Sequence, residues 1–158
     1  MKKSNYERLI ALADEVFAVR NDPDQLDVNE EVMEKLHAIH PTTLSDKDFG
    51  EGPVLWILLI PTTADLMNQF LNHEINEKQL YELTAPGQAY EAIYLCSALV
   101  LEEYRNKGLA KEVTLIAIEE IQKNHSIKAL FYWPFTEGGA AAAKSIANAI
   151  GLPLYERK

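Results

Sequence analysis

The 158-residue chain has a single cysteine, no long apolar run and few basic residues, and each shortage excludes a class of protein. Cys96 stands alone, so no disulfide can form within the chain, and a reducing cytoplasm is the expected compartment. The densest apolar run, Val54 to Ile60, has seven residues, whereas a membrane-spanning helix needs about 20. The two lysines near the N-terminus are not followed by an apolar stretch, so we expect no secretory signal peptide.

Acidic residues outnumber basic residues by 24 to 15, which gives a formal net charge of -9. A surface of this sign repels phosphate backbones and anionic lipids, so nucleic acid and membranes are not expected as partners. The charge is uneven, because residues 1–100 carry 17 acidic and 7 basic groups whereas residues 101–158 carry 7 and 8. An anionic ligand is therefore expected to bind to the C-terminal third rather than to the more acidic residues 1–100. A solvated acidic surface explains the same excess without any ligand.

Length and composition are those of one globular domain. Hydrophobic residues make up 47% of the chain and charged residues 25%, which is ordinary for a folded protein. A chain of about 150 residues hides enough surface to fold without disulfides or metals. We therefore treat residues 1–158 as a single domain.

The N-terminal half combines predicted helices with one predicted strand. Ser4, followed three residues later by Glu7, predicts a capped first helix. A second helix is predicted to begin near Asp27 or Asn29 and to end before Pro41. The run from Val54 to Ile60 predicts a strand covered on both faces, with no hairpin partner. Two further helical stretches are Thr62 to Leu71 and Asn76 to Leu83.

The C-terminal half alternates strands with helices. The predicted strands are Ala92 to Leu101, Ala129 to Trp133 and Leu152 to Tyr155, and the predicted helices are Gly108 to Lys123 and Glu137 to Ile150. This order requires right-handed crossovers between parallel strands. We predict an α/β fold in which helices flank a central mixed sheet, with an unusual helical segment before the central strand.

The junction between the central strand and the next helix carries the candidate site. The polar loop Glu102 to Lys107 leads to Gly108, at the predicted start of that helix. The first N–H groups of a helix lack partners within the helix and attract anions. Gly108 allows close approach, and Arg105, Lys107 and Lys111 add positive charge. The pattern predicts a phosphate or pyrophosphate site.

The identity of the phosphate ligand is narrowed by the glycine pattern. The P-loop and the dinucleotide fingerprint need more glycines than this loop contains. The loop reads Arg-x-x-Gly-x-Ala from Arg105 to Ala110, within Val-x-x-Glu-Tyr-Arg-x-Lys-Gly-Leu-Ala from Val100. This sequence resembles the acyl-CoA signature of the GNAT N-acetyltransferase superfamily. The resemblance extends over about Glu91 to Tyr155.

The resemblance implies a GNAT-like sheet and the transfer of an acetyl group from acetyl-CoA, without a metal, to the primary amine of a small molecule or peptide. The backbone of Ala98, Leu99 and Val100 would pair with the pantetheine arm. The helices before Pro41 would form part of the wall of the site that binds the acceptor amine. The resemblance leaves open whether two chains form a homodimer. The residues that would hold the pyrophosphate are Arg105, Asn106, Lys107, Gly108, Leu109, Ala110 and Lys111.

The usual proton-transfer positions of the family hold other residues here. The tyrosine that many members use as the acid for the thiolate falls at Ala147, and the asparagine that often precedes it falls at Ala140. The glutamate base of histone-type members falls at Tyr94. We take Tyr94 as the candidate catalytic residue, on the same strand face as Cys96 and Ala98. The other candidates are Glu91, Tyr132 and Ser145.

Three functions are open at this point. The chain is an N-acetyltransferase, or a non-catalytic acyl-CoA-binding module that has lost proton transfer, or an interaction domain in which side chains fill the cofactor cleft. The backbone amides near Gly108 discriminate among these functions. Amides that bond to the protein's own atoms would exclude both acyl-CoA readings.

Overall fold

A computed structural model of the chain describes residues 3–20, 30–134 and 137–158. The predicted start of the second helix at Asp27 or Asn29 lies outside the described residues. Within the described ranges the helices are α1 (Asn5–Arg20), α2 (Glu30–Ile39), α3 (Ala64–Leu71), α4 (Glu77–Leu83), α5 (Leu109–Asn124) and α6 (Glu137–Ile150). The strands are β1 (Leu44–Asp48), β2 (Pro53–Thr62), β3 (Ala92–Val100), β4 (Ala129–Tyr132) and β5 (Leu154–Glu156).

The five strands form one mixed sheet in the order β1-β2-β3-β4-β5. The pairs β1–β2 and β2–β3 are antiparallel, whereas β3–β4 and β4–β5 are parallel. The parallel pairs are joined through α5 and α6, as the strand–helix–strand pattern predicts. The α/β fold is confirmed, and so is the helical segment before the central strand, because α3 and α4 lie between β2 and β3.

Side-chain caps explain why the helices begin where they do. Ser4 Oγ accepts a hydrogen bond from the Glu7 amide at 3.1 Å, at the start of α1. Asn76 and Gln79 form a reciprocal capping box at the start of α4. These caps satisfy N–H groups that the helix leaves without partners. No helix in the described part of the chain is both long enough and apolar enough to cross a membrane.

The strand β1 was not expected, so the prediction that β2 lacks a hairpin partner is wrong. Its sequence, Leu44 to Asp48, is mostly polar. An edge strand can be polar because backbone hydrogen bonds to its one neighbour, here β2, are enough to position it. Asp48 Oδ1 shapes the following turn by accepting hydrogen bonds from the amides of Gly50 at 2.6 Å and Gly52 at 3.1 Å. Short polar strands of this kind carry no hydrophobic signal.

A buried aromatic cluster packs α3 against the parallel strands. The rings of Phe70, Tyr94 and Phe131 contact one another, and all three side chains are fully buried. Arg157 closes the cluster from the end of β5, where its Nε donates to the Phe70 carbonyl at 3.0 Å. The Arg157 guanidinium also lies over the rings of Phe70 and Trp133. The end of the chain is therefore bound to the core.

Two histidines lie together where α2 and α5 end. The centroids of the His40 and His125 rings are 6.2 Å apart. His40 Nδ1 accepts a hydrogen bond from the Thr42 amide at 3.2 Å, and His125 Nδ1 accepts one from the Tyr90 amide at 3.4 Å. Burial, and then the nearby His40, lower the pKa of His125. This lowered pKa favours the neutral form of the His125 ring.

We expect this histidine pair to make the fold sensitive to acid. The folded-state pKa of His125 lies below the value of about 6.5 in an unfolded chain. The unfolded chain therefore binds more protons than the folded chain once the pH falls below about 6.5, and the free energy of unfolding decreases as the pH falls from there toward the folded-state pKa. Urea unfolding at a series of pH values measures this slope.

His125→Asn keeps an acceptor for the Tyr90 amide and should flatten the slope. The exposed His73 has a φ of 63°, which asparagine tolerates, so His73→Asn is the matched control and should leave the slope unchanged. Equal slopes in the wild type and His125→Asn would contradict the role of His125.

Candidate functional site

The strands β3 and β4 separate soon after they begin. Ala92 to Tyr94 pair with Ala129 to Phe131, and beyond Tyr94 the ladder stops. β4 ends at Tyr132, shortly before Pro134, which has no N–H to offer a neighbouring strand. β3 continues to Val100 with only β2 beside it. We call the space between these diverging strands the cleft.

A bulge at Cys96 accompanies the separation. Leu58 of β2 pairs with Ser97, and Leu59 pairs with Leu95, so Cys96 is the extra residue on β3. Bulges bend a strand and increase its twist, which turns the rest of β3 away from β4.

The bulge also overturns one expectation about side-chain direction. Tyr94 pairs with Ile60 and Ala98 pairs with Ile57, and these two partners point to opposite faces of β2. The prediction that Tyr94, Cys96 and Ala98 share a face is therefore wrong. The extra residue shifts the alternation by one position.

The free edge of β3 presents backbone groups to the cleft. The Leu101 amide donates to the Val54 carbonyl at 3.0 Å. This bond shows which residues of β3 direct their backbone N–H and C=O groups toward β2. The N–H and C=O groups of Val100 and Ala98 consequently point away from β2, and those of Leu99 point toward it. The Val100 carbonyl accepts a hydrogen bond from Arg105 Nε at 2.9 Å. Ala98 is exposed although it lies within a central strand.

The cleft encloses about 660 Å³. Its side toward α6 is lined by small residues, which leave room that larger side chains would fill. α1 supplies Leu12 and Glu15, as expected for a helix before Pro41, whereas no residue of α2 is among the described lining residues. The lining residues are Leu12, Glu15, Ile57, Leu58, Leu59, Leu95, Cys96, Ser97, Ala98, Leu99, Thr114, Tyr132, Trp133, Pro134, Gly139, Ala142, Ala143 and Ile146.

The loop after β3 turns a set of free amides toward solvent. Asn106 and Gly108 both have positive φ, at 61° and 75°, and Gly108 caps α5 without a side-chain bond. The amides of Gly108, Leu109, Ala110 and Lys111 have no hydrogen-bond acceptor among the described residues. We call these four N–H groups the amide cradle. A Cβ built on Gly108 would meet no atom within 4 Å, so the space in front of it is open.

The loop is held in place from both sides. Glu103 accepts a hydrogen bond and ion pair from Arg8 of α1 at 2.6 Å, and this hydrogen bond lowers the pKa of Glu103. The Tyr104 amide donates to the Leu101 carbonyl at 2.9 Å. Arg105, Asn106, Lys107 and Lys111 are exposed around the cradle, which gives it a positive rim.

Tyr94 lies outside the cleft, although it was the candidate catalytic residue. Its side chain is fully buried, its ring stacks on Phe131, and its hydroxyl donates to Glu77 Oε2 at 2.6 Å. A phenol held in this way has no path to a ligand in the cleft. The side chain belongs to the core.

Of the other candidate proton-transfer residues, the structure brings only Tyr132 to the cleft. Glu91 is half-buried just before the opposite end of β3, and its Oε2 lies 3.8 Å from Lys128 Nζ. Ser145 is not among the described lining residues. Burial, then the charge of Glu156 and a hydrogen bond to the Glu156 side chain, raise the pKa of Tyr132, so its phenol stays protonated at neutral pH. Ala147, at the usual tyrosine position, is buried.

Two further lining residues, Glu15 and Trp133, were not predicted from the sequence. Glu15 follows the helical pattern of α1 like any solvated residue, and Trp133 lies at the end of a predicted strand. Only the three-dimensional arrangement brings them to one space. Within residues 3–20, 30–134 and 137–158, no group of three or more histidine, cysteine, aspartate or glutamate side chains could hold a metal ion.

Comparison with known proteins adds no relative. The chain matches no family model, no curated protein and no solved structure at a significant level. A functional proposal therefore has to be argued from the cleft and the amide cradle.

Proposed function

We propose that the protein is an N-acetyltransferase of the GNAT type, which binds acetyl-CoA in the cleft and transfers its acetyl group to a primary amine. One observation carries the proposal: β3, whose free edge borders the cleft, is followed along the chain by the loop that ends in the amide cradle. An extended chain that ends in a diphosphate, such as the pantetheine arm of CoA, matches both features in the same order.

The pantetheine arm would pair with the edge of β3 as an additional strand. The arm contains two amide groups, and the N–H and C=O of Ala98 face the space where it would lie. The Val100 carbonyl is bonded to Arg105, so the arm would pair chiefly at Ala98. Leu99 would contribute its side chain to the wall, because its backbone faces β2.

The diphosphate would occupy the amide cradle. Backbone N–H groups at the start of a helix point at an anion, and the helix dipole favours its charge. The exposed cations Arg105, Lys107 and Lys111 surround the position and oppose the acidity of the rest of the chain. Asn106 adopts a left-handed conformation within this loop, two residues before Gly108.

The chemistry requires a base for the amine and an acid for the thiolate. The amine nitrogen attacks the thioester carbonyl carbon, the carbon–sulfur bond breaks, and the products are an amide and free CoA. Glu15 is the one carboxylate among the described lining residues, and through water it can accept the proton that the amine loses. Tyr132 can donate its phenol proton to the leaving thiolate.

A non-catalytic acyl-CoA-binding module is the second candidate. Two observations favour it: Ala147 stands at the usual acid position, and the Tyr94 phenol is bonded to Glu77 within the core. An interaction domain with a filled cleft is disfavoured, because the cleft encloses about 660 Å³ and the amide cradle is free. Calorimetry with acetyl-CoA, followed by thiol release with polyamines, amino acids and peptides, separates the two remaining candidates.

Gly108→Glu should weaken acetyl-CoA binding by at least about 30-fold, because it strains the loop and places a carboxylate beside the diphosphate. Gly87→Glu is a matched control, since Gly87 has a similar φ of +83° and open space around it. The control variant should bind as the wild type does. Calorimetry measures both affinities, and equal affinity of Gly108→Glu and the wild type would place the ligand elsewhere.

Tyr132→Phe should lower kcat by about 100-fold while the Kd for acetyl-CoA stays within about two-fold, since only proton donation is lost. Thiol release under saturating acetyl-CoA measures kcat. Tyr94→Phe is the comparison variant: it should retain kcat but lower the free energy of unfolding by about 1–3 kcal/mol, because the buried Glu77 loses a donor. A large loss of kcat in Tyr94→Phe, with Tyr132→Phe unaffected, would reverse the assignment.

A further inference from the structure

An exposed aromatic pair lies beside the loop that forms the amide cradle. The rings of Phe49 and Tyr104 are stacked, with centroids 5.8 Å apart and planes inclined by 15°. Phe49 is 58% exposed, more than any other large hydrophobic side chain that the structure describes. We call this pair the platform. Tyr104 is half-buried and packs against the edge of the core, whereas the proposed acetyl transfer uses neither ring.

Both halves of the platform are anchored. Phe49 lies in the β1–β2 turn, which Asp48 Oδ1 closes by accepting hydrogen bonds from two glycine amides. Asn5 Nδ2 of α1 donates to the Gly52 carbonyl at 3.3 Å and ties that turn to the helix. Tyr104 lies in a short 3-10 turn whose Glu103 is paired with Arg8. The exposed Phe49 ring is thus positioned by two ordered segments, the β1–β2 turn and the 3-10 turn that contains Tyr104.

The platform precedes the amide cradle by a few residues along the chain, and both cations and carboxylates surround it. Tyr104 is four residues before Gly108, a separation that the chain can span by at most about 14 Å. Lys47 Nζ lies 5.6 Å from the centroid of the Phe49 ring and Arg105 follows Tyr104 directly, whereas Asp48 and Glu103 adjoin the two rings as carboxylates. A flat, uncharged base can stack on such a surface while the phosphate groups of the same ligand lie at the amide cradle.

We propose that the platform binds the adenine base of CoA by stacking while the amide cradle holds the diphosphate. The inference rests on the proposed function, because acetyl-CoA supplies the base. Bases stack on aromatic side chains without needing specific hydrogen bonds. The platform can therefore bind the base through its rings alone, while the amide cradle binds the diphosphate. Lys47, beside the ring, is placed to meet the phosphate on the ribose.

The test compares two acetyl thioesters that differ in the nucleotide. Acetyl-CoA carries the adenosine part, whereas S-acetyl-4′-phosphopantetheine has the same arm and one phosphate but no base. Phe49→Ala should raise the Kd for acetyl-CoA about ten-fold, which corresponds to about 1.4 kcal/mol. The Kd for the truncated thioester should change by less than about two-fold. Phe49→Tyr keeps an aromatic ring and should bind both compounds as the wild type does.

A spectroscopic readout separates stacking from a general effect on the fold. In the wild type, ring currents should shift the adenine H2 and H8 signals of bound CoA upfield, and Phe49→Ala should remove most of that shift. Equal weakening of both thioesters by Phe49→Ala would show a merely structural role and overturn the inference.

The remaining outcomes distinguish this inference from the proposed function. A wild-type chain that binds acetyl-CoA with a Kd that Phe49→Ala leaves unchanged would overturn the inference alone. A wild-type chain that binds neither thioester would overturn the proposed function, and the inference with it.

Discussion

The candidate site depends on backbone hydrogen bonds that the sheet does not make. Polar backbone groups in the middle of a sheet are nearly always paired, since leaving them unpaired away from water is costly. β3 is a central strand, yet its ladder with β4 ends after Tyr94, and Ala98 faces open space. Solvent or a ligand has to satisfy these groups. The cleft, its small-residue wall and the approach to the amide cradle all follow from that divergence.

Three local features maintain the divergence. The bulge at Cys96 bends β3, Pro134 follows the short strand β4 and prevents its extension, and the alanine-rich α6 leaves volume beside both strands. The loop after β3 then adds free amides through the left-handed conformations of Asn106 and Gly108. Each feature is common by itself. Their succession along one strand and one turn is what favours a ligand that is extended at one end and anionic at the other.

The sequence predicted the elements whose signals are local. The cap at Ser4 and the apolar residues of β3 specify structure within a few residues, and so does the glycine at the start of α5. β1 was missed because an edge strand needs no apolar residues. The placement of Tyr94 was wrong because it depends on a bulge and on Glu77, which lies 17 positions away in the chain. Features of this kind are set by tertiary packing, and no local pattern reports them.

The most direct test of the proposed binding mode is amide hydrogen exchange with and without acetyl-CoA. The proposal predicts that acetyl-CoA slows exchange at the Ala98 amide and at the amides from Gly108 to Lys111, for which no acceptor lies among the residues that the structure describes. Exchange at Leu99, whose amide already bonds to β2, should barely change. Protection that spares Ala98 and the cradle and appears elsewhere, or no protection at saturating acetyl-CoA, would contradict the account.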